Sequence, residues 1–261
     1  MRPHHERAIQ KLADHFSKEE GYLAVIVGGS VAKRVETEHA DIDVILVATD
    51  EVYERRNQEN NLTYFSTAFC DYPGGYVDGK IVNLEYLRAA AQRGNEATRA
   101  AFEGAFVAYS AIPEVNDLVS RIPVYQKDEQ AEKIRSFYAQ FECAYWYLGE
   151  AEKRNDRYLL THAVSDLVLY GGRLILAHNE VLYPYHKLFM TELEKAPEKP
   201  EKLTELIQVL LEEPGGENAK AFYEAIRGFR QWNDPPEPWN QRFIKDTELA
   251  WLENRPYVGD V

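Results

Sequence analysis

The chain has 261 residues, 45% of them apolar and 12% aromatic, enough to bury one large core or two smaller ones. Its formal charge of −13 at pH 7 argues against a surface that holds long nucleic acid, which relies on many Lys and Arg contacts with phosphate. The polar opening MRPHHERAIQ lacks the apolar core of a secretory signal, no apolar run approaches the roughly 18 residues of a membrane span, and Cys70 and Cys143 have neither metal-ligand nor disulfide-framework spacing, so a soluble cytoplasmic protein is expected.

In chain order, Ile9, Leu12, Ala13 and Phe16 recur at helical spacing. Short strand-like runs follow: LAVIV at 23 to 27, IDVILVA at 42 to 48, TYFSTAF at 63 to 69, KIVNLEYL at 80 to 87 and AFVAYS at 105 to 110. The Asp78-Gly79 pair reads as a tight turn, making YVDGKIV a hairpin that feeds a strand carrying Glu85. After residues 113 to 128 the pattern becomes helical. Ile134, Phe137, Phe141, Tyr145 and Leu148 mark one helix face; Leu160, Ala163, Leu167, Leu174 and Ala177 mark a second. Leu203, Leu206, Ile207, Leu210 and Leu211 mark a third, and Phe222, Ile226 and Phe229 a fourth. The expected class is α+β: a mixed-sheet domain over 1–120, then a helical domain over 121–261.

The stretch GGSVAKRVETEHADIDVILV, residues 28 to 47, carries the chemistry. On a strand, Asp41 and Asp43 project from one face, about 6 to 7 Å apart, while Ile42 and Val44 point to a core. Two like charges so placed need neutralising, and a hard cation such as Mg²⁺ does that with oxygen ligands while leaving positions open to water and phosphate. Gly28 and Gly29 let backbone N–H groups approach a phosphate, and Ser30 adds a hydroxyl. On the KIVNLEYL strand, Asn83 and Glu85 share the polar face, so Glu85 offers a third acid, as metal ligand or general base; a surface pair with Arg88 is the other reading.

An apolar strand, Gly-Gly-Ser, ten residues and then Asp-Ile-Asp-Val, with an apolar-flanked acid downstream, resembles the DNA polymerase β-type nucleotidyltransferase superfamily over residues 20 to 110. The helical lobe resembles that of small bacterial members, including aminoglycoside and lincosamide nucleotidyltransferases. The resemblance implies a mixed sheet with helices on one side and transfer of NMP from an NTP, ATP being the nucleotide expected, to a hydroxyl of a small antibiotic-like acceptor. It implies a two-metal Mg²⁺ site at Asp41, Asp43 and Glu85, triphosphate contacts at Gly29 and Ser30, and a further basic phosphate contact at Lys187. Ala32-Lys33-Arg34 departs from the Gly or Arg-Gly that members carry after the serine.

Two other classes stay open: a non-catalytic or antitoxin-like partner protein of the same fold, and nucleotidylation of a protein or tRNA. In the helical lobe His162, Asp166 and Arg173 line one helix side, read first as a satisfied polar cluster between helices. Gly171-Gly172 in the same helix points to close packing. The aromatics Tyr138, Phe141, Tyr145, Trp146 and Tyr147 are expected in a core or lobe interface.

Overall fold

The computed structural model describes residues 1 to 261, apart from the side chain of Asp260. The chain forms two compact units, Met1–Val124 and Tyr125–Val261, so the α+β class read from the sequence is the class observed.

The first unit runs α1 (Pro3–Phe16), β1 (Tyr22–Val27), α2 (Gly29–Ala32), β2 (Ile42–Ala48), α3 (Asp50–Gln58), β3 (Thr63–Ser66), β4 (Val77–Asn83), α4 (Leu84–Arg93), α5 (Glu96–Ala100), β5 (Phe106–Ser110) and α6 (Glu114–Arg121). The sheet order is β3-β4-β2-β1-β5, with β2 and β4 parallel and the other pairs antiparallel. Alternation along the strands splits the apolar residues between two cores. Ile42, Val44 and Leu46 of β2 pack with Ile9, Leu12 and Phe16 of α1 on one face. Ile45 and Val47 pack with Leu87 of α4 and Leu118 of α6 on the other. Helices therefore cover both faces, where the resemblance implied one. Arg99 of α5, 2% exposed, ties this unit's connections together by donating to the carbonyls of Gly94, Ala91, Ile122 and Val124.

Two expectations fail in the middle of this unit. Asp78-Gly79 makes no turn; both residues lie inside β4, and Gly79 is there because a Cβ would stand 2.0 Å from the carbonyl oxygen of Val44 on β2. The run KIVNLEYL is not one strand either. The Asn83 side chain accepts from the Tyr86 amide at 3.0 Å, which caps a helix and ends the strand there.

The second unit is helical: α7 (Lys127–Arg154), α8 (Arg157–His178), α9 (His186–Lys195), α10 (Leu203–Glu212), α11 (Gly216–Phe229) and α12 (Trp239–Phe243), with short irregular helical turns after it. Asn155, left-handed at φ 51°, ends α7, and Asp156 caps α8 by accepting from the Leu159 amide at 3.0 Å. That two-residue break folds α8 back along α7. Phe137 and Phe141 of α7, Leu167 and Leu174 of α8 and Phe222 of α11 meet in one core, each worth about 1.5 to 3 kcal/mol of burial. Gly171 and Gly172 make room for rings: a Cβ would lie 2.8 Å from Phe222 Cζ at the first and 2.3 Å from Phe189 Cζ at the second. Among the described residues α8 alone is long and apolar enough to cross a membrane, and 61% of its most apolar window is buried in this core.

Candidate functional site

The opening motif closes a corner of the sheet. β1 ends at Val27, Gly28 donates its amide to the Asp43 carbonyl at 2.9 Å, and the chain turns into α2. The Gly28 amide is thus spent on the ladder and is not free for a phosphate, a correction to the role expected of it. The first-turn amides of Gly29, Ser30 and Val31 face the general condition of a helix start, with no carbonyl one turn back, and Gly28 has no side chain to cap them. Gly29 takes φ +61° and sits hard against Asp43: a Cβ there would fall 1.7 Å from Asp43 Oδ2. The phosphate-loop candidate and the acid pair are therefore in direct contact.

Asp43 is exposed on β2 between buried Ile42 and Val44, and Asp41 lies just ahead of the strand. A third acid on this side of the sheet is Asp78, which the sequence reading placed in a turn. In the parallel β2–β4 ladder Asp43 is the register partner of Asp78, so the two side chains share a face on strands about 4.8 Å apart. Ile42-Asp43-Val44 and Val77-Asp78-Gly79 are matching triplets, and that repeated apolar-acid-apolar pattern was the available signal. Tyr76 reports on all three acids. Its phenol is hydrogen bonded to the Asp41 carboxylate, which holds it above its ordinary range, and the charges of Asp78 and Asp43 push the same way.

Glu85 does not join them. Ala48 is paired with Asn83, five residues along from the Asp43–Asp78 pair, which sets the start of α4 about 16 Å away along the strands. Glu85 is exposed there, lining a surface hollow with Asp50, Glu54 and Arg88. Arg88 forks onto Glu114 at 2.8 and 2.9 Å rather than pairing with Glu85. The strand position expected of Glu85 is corrected: Asn83 starts a helix, and Glu85 stands apart from the acid pair at the other end of the strands.

The donor set suits a hard divalent cation. Three carboxylates act on one phenol, and oxygen donors of this kind are what Mg²⁺ takes. Among the described residues no three His, Cys, Asp or Glu side chains already stand together as metal ligands, so the fit is one of donor chemistry and facing. Lys33, in the departing Ala32-Lys33-Arg34 segment, pairs with Glu103 at 2.9 Å, and Arg34 is exposed with φ 59°.

In the second unit, Lys187 is exposed in the first turn of α9. His162 and Asp166 pair at 3.5 Å on α8, and burial raises the Asp166 carboxyl above its ordinary value while His162 opposes the shift. Arg173 belongs to a different setting. It is fully buried, its guanidinium 4.2 Å from the rings of both Phe137 and Tyr183, and it donates to the carbonyls of Gly259 and Val261. Phe141 is buried and Tyr145 stacks on Tyr223 at 3.9 Å, whereas Trp146 and Tyr147 are exposed.

No protein-family model matches the chain, and no curated protein matches it. Among solved structures it is similar to a nucleotidyltransferase-like protein from Exiguobacterium sibiricum 255-15, at 11% identity over 97% of this chain and 82% of that one, with a TM-score of 0.49. So distant a likeness carries no argument, and the functional reading rests on the residues.

Proposed function

We propose that the protein transfers a nucleoside monophosphate from an NTP, ATP in the first instance, to a hydroxyl of a small-molecule acceptor in the cytoplasm, releasing pyrophosphate. The observation that carries this reading is the pairing of Asp43 with Asp78 across the parallel ladder, with Asp41 just ahead of β2 and Gly29 packed against Asp43. Asp41, Asp43 and Asp78 would hold Mg²⁺, which supplies positive charge to the triphosphate and to the α-phosphate as negative charge develops on it.

The chain's own groups do the rest. The amides of Gly29 and Ser30 and the Ser30 hydroxyl orient the triphosphate. Asp78, on the strand nearer the sheet edge, takes the proton of the acceptor hydroxyl as that oxygen bonds to the α-phosphorus. The bond from the α-phosphorus to its bridging oxygen breaks in line, and pyrophosphate leaves with the electron pair.

A mass-resolved screen of acceptors with Mg²⁺ and each NTP tests the proposal by looking for an added NMP and for pyrophosphate. Asp43→Asn and Asp78→Asn should each lower turnover roughly 100-fold or more, and undiminished turnover in either variant would refute the assignment. A chain whose melting temperature does not move with Mg-NTP would favour the non-catalytic partner instead.

A further inference from the structure

The segment that delivers Asp41 to the sheet has almost no apolar anchorage. Between Arg34 and Ile42, Val35 is 71% exposed and Thr37, Glu38 and His39 are exposed as well. Polar contacts hold it instead, most of them from the start of α1. The Arg2 amide donates to Glu36 Oε1 at 2.9 Å, and His4 Nε2 lies 3.0 Å from the Glu38 carbonyl. His39 Nδ1 in turn lies 3.2 Å from the Pro73 carbonyl in the loop before β4.

Two donors converge at the end of this segment. His5 Nε2 lies 3.1 Å from the Ala40 carbonyl oxygen, and the Tyr72 hydroxyl donates to the same oxygen at 2.8 Å. That oxygen belongs to the peptide bond from which Asp41 begins. His5 is completely buried and its Nδ1 has no hydrogen-bond partner. The ring is therefore the tautomer with its proton on Nε2, aimed at Ala40. A leucine would fill this apolar stripe of α1 without stranding a ring nitrogen, so filling space does not account for the imidazole; the bond to Ala40 does. One residue on, the Ile42 amide donates to the Tyr76 carbonyl at 3.0 Å, while the Tyr76 phenol holds the Asp41 carboxylate.

We infer that His5 and Tyr72 are positioning residues for Asp41: together they clamp the Ala40 carbonyl and so fix where the Asp41 carboxylate stands among Asp43 and Asp78. This rests on the proposed role of those acids in holding a divalent cation. Groups that orient a metal-binding carboxylate without touching the metal are generally worth 10- to 100-fold in metal affinity.

The test uses the full chain and Mn²⁺ alone, with binding followed by water-proton relaxation and the metal-free fold followed by thermal unfolding. Tyr72→Phe, which removes one hydroxyl, should weaken Mn²⁺ binding roughly ten-fold while the metal-free melting temperature stays near that of the parent. His5→Leu should weaken it similarly. His5→Gln, whose amide N–H reaches toward the same carbonyl, should restore most of the affinity, which a purely space-filling role would not do. A Tyr72→Phe protein that melts normally and binds Mn²⁺ like the parent overturns the inference, and decides it even where His5→Leu does not fold. A parent chain that binds no Mn²⁺ removes the reading of the acid site, and the clamp falls with it; parent binding with unaltered variants removes the clamp alone.

Discussion

Gly29 meets two demands that no other residue meets together. Its φ of +61° is costly for an L side chain by about 1 to 2 kcal/mol, and the space where a Cβ would go is taken by the Asp43 carboxylate. Gly29→Ala should therefore lower unfolding free energy by about 1 to 2 kcal/mol in urea titration. It should also abolish Mg-NTP turnover, because the Asp43 carboxylate must swing aside. A variant that loses stability but keeps turnover would separate Asp43 from the chemistry. Arg34 gives the opposite case. At φ 59° it takes the left-handed conformation that glycine adopts freely, and Lys33 beside it is occupied by Glu103. Arg34→Gly relieves the steric cost but adds chain entropy to the unfolded state, so its net effect on the urea midpoint should be within about 1 kcal/mol of zero, with turnover intact.

At the scale of elements, what the sequence disclosed depended on how local the signal was. β2 begins and ends where its apolar run does, at Ile42 and Ala48, and most of the spaced residues that announced the apolar faces of α1, α7, α8, α10 and α11 are buried, whereas Leu211 of α10 is 51% exposed. Each of these patterns is decided within a few residues of chain. The partnership of Asp43 with Asp78 is not, because it arises from parallel pairing of segments 35 residues apart, and Asp-Gly resembles a turn to any local reading. Glu85 was misplaced for a related reason: Val82, Leu84 and Tyr86 alternate as a strand would, and only the cap at Asn83 shows that the backbone has turned helical. His5 was invisible as a functional group because it occupies an apolar helix stripe, and its partner at Ala40 is 35 residues away. The cap itself can be tested. The Asn83 side-chain oxygen accepts from Tyr86 and its amide donates to Asp50 at 3.0 Å, so Asn83→Ala should cost about 1 kcal/mol in urea denaturation. Asn83→Asp should recover most of the cap while placing a second carboxylate beside Asp50, leaving it between the two.

At the scale of the whole molecule, the two units carry titrations of opposite sign. In the first unit burial lowers the His5 pKa below 6.5, with His4 and Arg2 acting the same way and the Ala40 hydrogen bond and Glu36 opposing. A lowered histidine is neutral in the fold, so its contribution is complete above about pH 6.5 and is lost as pH falls through the folded value, where the unfolded chain already binds the proton. In the second unit Asp166 is raised above 3.8 by burial. That carboxyl costs stability while it is ionised, and the cost is relieved as pH falls through its folded value. Acidification from pH 7 to about 5 should therefore weaken the first unit while sparing or strengthening the second. Only further down do the carboxylates held below their ordinary range by cations, Asp71 by Arg7 and Glu114 by Arg88 in one unit and Glu132 by Arg242 and Glu150 by Lys153 in the other, withdraw support from both. The chain supplies its own separate reporters. All five strands lie in the first unit, and all four tryptophans, Trp146, Trp232, Trp239 and Trp251, lie in the second. On heating at pH 5 the sheet band of the infrared amide I spectrum should be lost at a lower temperature than at pH 7, while the tryptophan fluorescence transition holds its position. His5→Gln, which keeps a donor for Ala40 but has nothing to protonate, should remove the infrared shift, and Asp166→Asn should change only the fluorescence. If the infrared transition of His5→Gln still moves with pH as the parent's does, the acid sensitivity of the sheet has another origin than the buried imidazole.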